Sequence, residues 1–279
     1  MPRPAGTLPG VNDGTSGSSA ASTSDDPAPS APSAPTAPLP RAAAIVVAAG
    51  AGTRFGGPKQ FAELGGRTAV EWSVRTAAAV CDVVVVVLPP ATRTCDALRA
   101  TGATVVAGGR SRPESVSAGL SALAAAGTPE TDVVVVHDAA RPGATAAMFE
   151  AVIAAVADGA DGAVPVLPVR DTIKRVVGSG PGAAAGASRI AETLDRSDTV
   201  LAQTPQAFRR AALATAHTQA ACRPSDEAFT DDAAMVEACG GVVVAVPGDP
   251  AAHKITTAAD LATVSRLMGI DAPGAPALR

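Results

Sequence analysis

The chain has 279 residues, 47% of them apolar and only 2% aromatic, and a formal charge of −4. That length and apolar content allow one large domain or two small ones with ample core. So few aromatics argue against a stacking platform for single-stranded nucleic acid, and the lack of a long basic run argues against a DNA or RNA surface.

In chain order, residues 1–40 are rich in Ala, Pro and Ser and read as a disordered tail that cannot bury enough apolar area to offset its ordering entropy. An apolar run over 42–49 predicts a buried strand. It breaks into Gly50 and Gly52, then delivers Arg54 and Lys59 five residues apart. Glycines admit backbone N–H groups close to an anion and the two cations add positive charge, which points to a polyphosphate. The plain alternative is a strand-to-loop turn with two solvated cations.

Apolar spacing then predicts a helix over 68–80, a strand over 83–88 closed by Pro89 and Pro90, a helix over 91–100 and a strand over 103–106. A second glycine turn, Gly108-Gly109, leads into a helix over 113–126 with Pro113 in its first turn. A strand over 132–136 ends in His137-Asp138, and a helix over 144–157 precedes a strand over 162–167. Uniformly apolar strands alternating with helices predict an α/β fold, a Rossmann-like and mostly parallel sheet with helices on both faces. Ligands in such sheets sit at the carboxyl ends of strands, where these three turns can converge.

The pattern then changes. Residues 172–177 and 189–194 are strand-like around a Gly/Ala loop at 178–187, a hairpin arm (about 168–200) outside the main sheet. Helices are predicted over 206–221, 231–239 and 257–268, a strand over 242–246, and a flexible tail over 271–279. One domain, 41–270, carries the fold. Cys81, Cys95, Cys222 and Cys239 have no CxxC spacing and no adjacent His cluster, so they read as reduced thiols and indicate neither zinc nor a disulfide scaffold. No apolar stretch reaches transmembrane length and the N-terminus lacks an apolar signal region, so a cytoplasmic protein without a membrane partner is expected.

A dinucleotide fingerprint would need a third glycine where Phe55 stands, and a Walker-type phosphate loop is absent. The run Gly50-Ala51-Gly52-Thr53-Arg54-Phe55, followed by Pro58-Lys59-Gln60, instead resembles the signature loop of nucleotidyltransferases. Gly108-Gly109 with Arg112 and Ser115-Val116, His137-Asp138-Ala139-Ala140-Arg141-Pro142, and Arg170-Asp171-Thr172-Ile173-Lys174 follow in one family's order. So do Leu194-Asp195-Arg196, Gln203-Thr204-Pro205-Gln206, Thr230-Asp231-Asp232 and His253-Lys254-Ile255-Thr256. Together they resemble the 2-C-methyl-D-erythritol 4-phosphate cytidylyltransferase family over about 41–268.

The resemblance implies transfer of a cytidylyl group from CTP to methylerythritol phosphate with release of pyrophosphate. It implies Arg54, Lys59 and Lys254 as catalytic cations, and Ala48, Ala49, Gly50, Gly52, Gly109, Ser115 and Asp138 as the CTP site. Arg141, Thr172, Arg196, Thr204 and Thr230 would surround the polyol phosphate. Mg²⁺ would be held mostly by triphosphate oxygens with Asp138 as the protein ligand. In the family the arm reaches across a homodimer, so Thr172 and Arg196 would complete the partner's site. Alternatives are a cytidylyltransferase for ribitol 5-phosphate, a dehydrogenase, disfavoured by Phe55, and a non-catalytic nucleotide-binding protein, which would have no need of the three cations.

Overall fold

The computed structural model describes residues 39–90, 92, 96–127, 133–178, 188–221 and 229–270. Residues 1–38 of the expected 1–40 tail, the expected tail at 271–279, most of the 178–187 loop, part of the 91–100 helix, and Cys95 and Cys222 lie outside the described residues. In chain order the elements are β1 (Ala42–Val47), β2 (Glu63–Leu64), β3 (Arg67–Thr68), α1 (Ala69–Val80), β4 (Val83–Leu88), α2 (Asp96–Arg99), β5 (Thr104–Ala107) and α3 (Arg112–Ala125). There follow β6 (Val133–Asp138), α4 (Ala146–Ala157), β7 (Gly162–Pro168), β8 (Lys174–Val177), β9 (Arg189–Thr193), β10 (Val200–Ala202) and β11 (Gln206–Arg209). The chain continues through α5 (Arg210–Ala220), α6 (Asp232–Ala238), β12 (Val243–Pro247) and α7 (Ala258–Leu267). All of them fall in one compact unit, Ala37–Arg279.

Eight strands form the central sheet in the order β10-β7-β11-β6-β1-β4-β5, with β12 also paired to β7. β6, β1, β4 and β5 run parallel, as does β12 beside β7. β11 is antiparallel to both β6 and β7, and β10 is antiparallel to β7, so the mostly parallel sheet is mixed at this side. The period of two along β1 divides the core. Ala42, Ala44 and Val46 pack with Val70 and Val74 of α1 and Phe149 and Val152 of α4. Ala43 and Ile45 pack on the other face with Val116 of α3, Leu213 of α5 and Met235 of α6. Helices therefore cover both faces, as expected.

Helix starts follow their caps. Thr68 and Glu71 form a reciprocal capping box at α1, Ser111 caps α3 with Pro113 in the first turn, and Thr145 caps α4. The expected helix over 206–221 is a correction: Gln206–Arg209 is a strand wedged between β6 and β7, and the helix begins at Arg210. Ala207 and Phe208 enter opposite core layers, which a helical start would not allow. So short a strand shows too little alternation to be read from sequence. The two-residue strands β2 and β3 and the edge strand β10 carry no sequence pattern that predicts them either. Gly65 and Gly66, at φ 58° and 80°, make the tight turn between β2 and β3. β8 and β9 pair antiparallel as a separate two-stranded sheet, the expected arm.

Gly119 of α3 faces β1 so closely that an added Cβ would lie 2.5 Å from Ile45 Cγ2. Gly119→Val is expected to reduce the unfolding free energy by about 1–3 kcal/mol. Urea denaturation checks this, and a wild-type midpoint would show that α3 can recede from β1 without cost.

Candidate active site

β1 and β6 run side by side with Val47 opposite Asp138, and Val47 is also level with Val87 of β4. The loops leaving these strands start at one edge of the sheet. After β1 the chain turns through Gly52 at φ 66°, where a Cβ would lie 1.8 Å from the Gly57 carbonyl oxygen, so the turn requires glycine. Gln60 is 3% exposed and its Nε2 donates to the Gly50 carbonyl at 3.1 Å, folding the loop back on itself. Lys59 Nζ donates to the Ile255 carbonyl at 2.7 Å, across 196 positions of sequence. Ile255 in turn donates its N–H to the Ala140 carbonyl at 2.8 Å, so the segment before α7 is pinned between two strand-end loops.

Asp138 lies at the centre, 8% exposed. Its Oδ1 accepts from Arg112 Nε at 3.2 Å and its Oδ2 from Lys254 Nζ at 2.6 Å. Burial alone would raise this carboxyl, but Arg112, Lys254 and Arg141 hold it well below the ordinary carboxylate range. Arg112 Nη1 donates to Asp232 Oδ2 at 2.6 Å, so one guanidinium bridges two carboxylates. The Thr204 hydroxyl accepts the Asp138 N–H at 3.1 Å and faces His137 Nδ1 at 3.1 Å. Burial, and next the charge of Lys254, lower the Lys59 ammonium from its usual value, with Asp138 offsetting part of this.

A cavity of about 300 Å³ opens here, lined by Ala48, Ala49, Gly50, Lys59, Gly109, Ser115, Asp138 and Lys254, together with Arg110 and Arg112. Asp138 is its one acid among the described lining residues. A second cavity of about 170 Å³ shares Arg112, Asp138 and Lys254 and adds Arg141, Thr204 and Thr230. Sequence-predicted residues for the two substrates therefore occupy two adjoining cavities that share a wall. Arg141 spends its guanidinium on backbone, Nη1 donating to Ala252 at 2.8 Å and Nη2 facing Ala202 at 3.4 Å.

Four predicted residues stand apart. Gly52 shapes the loop without lining either cavity. Arg54 is exposed on the 3₁₀ turn Thr53–Phe55, near enough for its charge to lower Lys59. Thr172 and Arg196 are exposed on the arm, where Arg196 Nη1 donates to the Arg170 carbonyl of the same arm. Three residues belong to the sequence motifs but carried no predicted site role: Arg112, which bridges Asp138 and Asp232, and Gln60 and Asp232. The Gly-Gly-x-x-Arg and Thr-Asp-Asp spacings were the available signals. Among the described residues no group of three His, Cys, Asp or Glu could hold a metal, and no helix is long and apolar enough to cross a membrane.

The profile of the family described as "IspD: 2-C-methyl-D-erythritol 4-phosphate cytidylyltransferase" matches residues 42–269. This chain belongs to that family. The cytidylyltransferase of Frankia casuarinae is 40% identical over 235 residues, covering 82% of this chain and 82% of that protein. The "Bifunctional enzyme IspD/IspF" of Clavibacter michiganensis is 41% identical over 84% of this chain, which spans 56% of that longer protein. The crystal structure of the family member from Thermus thermophilus superposes with a TM-score of 0.65 at 33% identity, covering 83% of this chain and all of that one.

His137 is fully buried, and burial lowers it to about 4 despite the neighbouring Asp138 charge. Below its ordinary value of 6.5 the unfolded chain binds a proton that the folded chain refuses, so stability falls as pH drops from 6.5 towards 4. Between pH 7 and pH 5 the wild type is expected to lose about 2 kcal/mol more than His137→Gln. Urea titrations at the two pH values check this; parallel losses in both proteins would show that His137 is protonated in the fold.

Proposed function

We propose that this chain transfers a cytidylyl group from CTP to 2-C-methyl-D-erythritol 4-phosphate and releases pyrophosphate. The observation that carries the reading is the convergence of Lys59, Arg112 and Lys254 on one cavity that adjoins a second, Arg141-walled cavity, in a member of this family. A phosphate oxygen of the polyol substrate bonds to the α-phosphorus of CTP. The bond from that phosphorus to the bridging oxygen breaks, and its electron pair leaves with pyrophosphate. The attacking phosphate is already ionised at neutral pH, so no general base is required. Two polyanions must instead be neutralised and aligned.

Lys59 and Lys254 stabilise charge at the reacting phosphates, and Arg54, on the outer turn, covers the departing polyphosphate. Ala48, Ala49, Gly50 and Gly109 give backbone access to the nucleotide, with Gly52 setting the turn and Ser115 at the base end. Arg141, Thr204 and Thr230 face the polyol phosphate. Mg²⁺ fits here as a companion of CTP: Asp138 is the one carboxylate among the described residues lining the first cavity, and Arg112 and Lys254 already engage its two oxygens, so triphosphate oxygens would supply most ligands. Bound there, the ion would neutralise charge on the triphosphate.

The working unit in this reading is a cytoplasmic homodimer. Val176 and Ile190 of the arm are 58% and 57% exposed, and Val200 and Leu201 of the neighbouring edge strand are exposed too. Apolar residues so displayed favour burial against a second copy, which would also bring Thr172 and Arg196 to the partner's polyol site. The unpaired thiols of Cys81 and Cys239 accord with a reducing compartment.

Pyrophosphate release with CTP and each of two polyol phosphates tests the reading; preference for ribitol 5-phosphate would replace the named acceptor. Lys59→Ala and Arg54→Ala are each expected to lower kcat on the order of 10²–10³-fold with the fold intact. Near wild-type turnover would remove those roles. Arg196→Ala is expected to raise KM for the polyol phosphate with KM for CTP unchanged, and sedimentation of a monomer at assay concentration would remove the arm from the site.

A further inference from the structure

We propose that His217, which lines neither cavity, is a positioning residue for this site: together with Asp232 it locks Arg112 in the orientation that presents its Nε to Asp138. The proposal rests on the cytidylyl-transfer reading above. Asp232 is completely buried, and its two oxygens have two different partners. Oδ1 lies 2.8 Å from His217 Nε2, and Oδ2 lies 2.6 Å from Arg112 Nη1. His217 is itself 6% exposed, and its Nδ1 stands 3.1 Å from the Ser117 hydroxyl. The Asp232 carboxylate can only accept, so it requires a proton on Nε2, and the Ser117 hydroxyl, which can donate or accept, is compatible with that arrangement.

The relay runs from His217 on α5 through Asp232 on α6 and Arg112 at the start of α3 to Asp138 at the end of β6, then to Lys254. The order Ser117–His217–Asp232 resembles a nucleophile–base–acid triad, but the second Asp232 oxygen is committed to Arg112, so the pair serves the arginine. A guanidinium is planar, so fixing Nη1 on Asp232 sets the direction in which Nε points. The contact away from the cavity is the shorter one, 2.6 Å against 3.2 Å to Asp138.

With His217 removed, Asp232 Oδ1 is a buried anion oxygen without its donor, and the guanidinium swings to satisfy both Asp232 oxygens in the bidentate fashion arginine favours. Asp138 then loses Arg112 and draws Lys254 more tightly, away from the phosphates. The effect falls on the reacting centre and not on nucleotide affinity.

The test is a double-mutant cycle on the full chain, reading kcat of pyrophosphate release at saturating CTP and methylerythritol phosphate. His217→Ala is expected to lower kcat about tenfold in the wild-type background but less than about twofold in Arg112→Lys, which cannot bridge two carboxylates. KM for CTP stays unchanged, and His217→Gln, whose amide N–H can still donate to Asp232, restores most of kcat. A merely structural histidine gives equal losses in both backgrounds; that result, or full kcat in His217→Ala, overturns the proposal. Should His217→Ala not fold, the isosteric Asp232→Asn decides in the same cycle, and wild-type kcat there overturns it. Wild-type turnover in the same assay separates the two levels: its absence removes the transfer reading, whereas normal wild-type turnover with an unaffected His217→Ala removes the positioning role alone.

Discussion

A carboxylate buried at the end of a parallel strand must be neutralised or it will not stay ionised, and Asp138 meets that demand with Arg112 and Lys254. The two cations come from the start of α3 and from the segment before α7, so one acidic side chain binds three distant stretches of chain to one point. Removing either cation strands negative charge on the buried Asp138 side, and the partial exposure of Lys254 and Arg112 softens that cost. The balance is also incomplete. Among the described residues at this wall, Lys59, Lys254 and Arg112 stand against the two carboxylates of Asp138 and Asp232, and Lys59 is held below its usual basicity by burial and by the neighbouring Lys254. Such a surplus of positive charge becomes favourable when a polyanion enters, which fits the proposed triphosphate.

Topology puts that charge where it is. Parallel strands β1, β4 and β6 deliver their loops at one edge, and the antiparallel β11 returns the chain past the end of β6. Thr204, just before β11, thereby reaches the Asp138 N–H and the His137 ring. The segment 253–256 closes the ring by accepting from Lys59 and donating to Ala140. The first cavity and its neighbour share Arg112, Asp138 and Lys254 because these side chains form the wall between them.

Much of this was legible beforehand. Continuous apolar runs such as Val83–Leu88 can be accommodated only in a strand covered on both faces, and the glycine turns after them located the site edge. Residues predicted from the motifs, from Ala48 and Lys59 to Asp138 and Lys254, do line the first cavity. Other features were hidden for physical reasons. Gln206–Arg209 reads as the start of a helix because so short a segment cannot display a period, and pairing with β6 and β7 overrides local preference. Arg112 carried no evident role because its importance comes from two carboxylates, 26 and 120 positions away. Thr172 and Arg196 remain exposed on the arm, and among the described residues they line neither of the two cavities.

By itself the sequence determined the fold class, the glycine loops and the family, since each is written in local residue types and in the order of short motifs. The packing of distant segments decided the rest. Whether Lys59 meets Ile255, whether Thr204 meets Asp138, and which carboxylates share Arg112 depend on side chains brought together from across the chain. No local pattern encodes such contacts, because their energy exists only once the chain between them has folded.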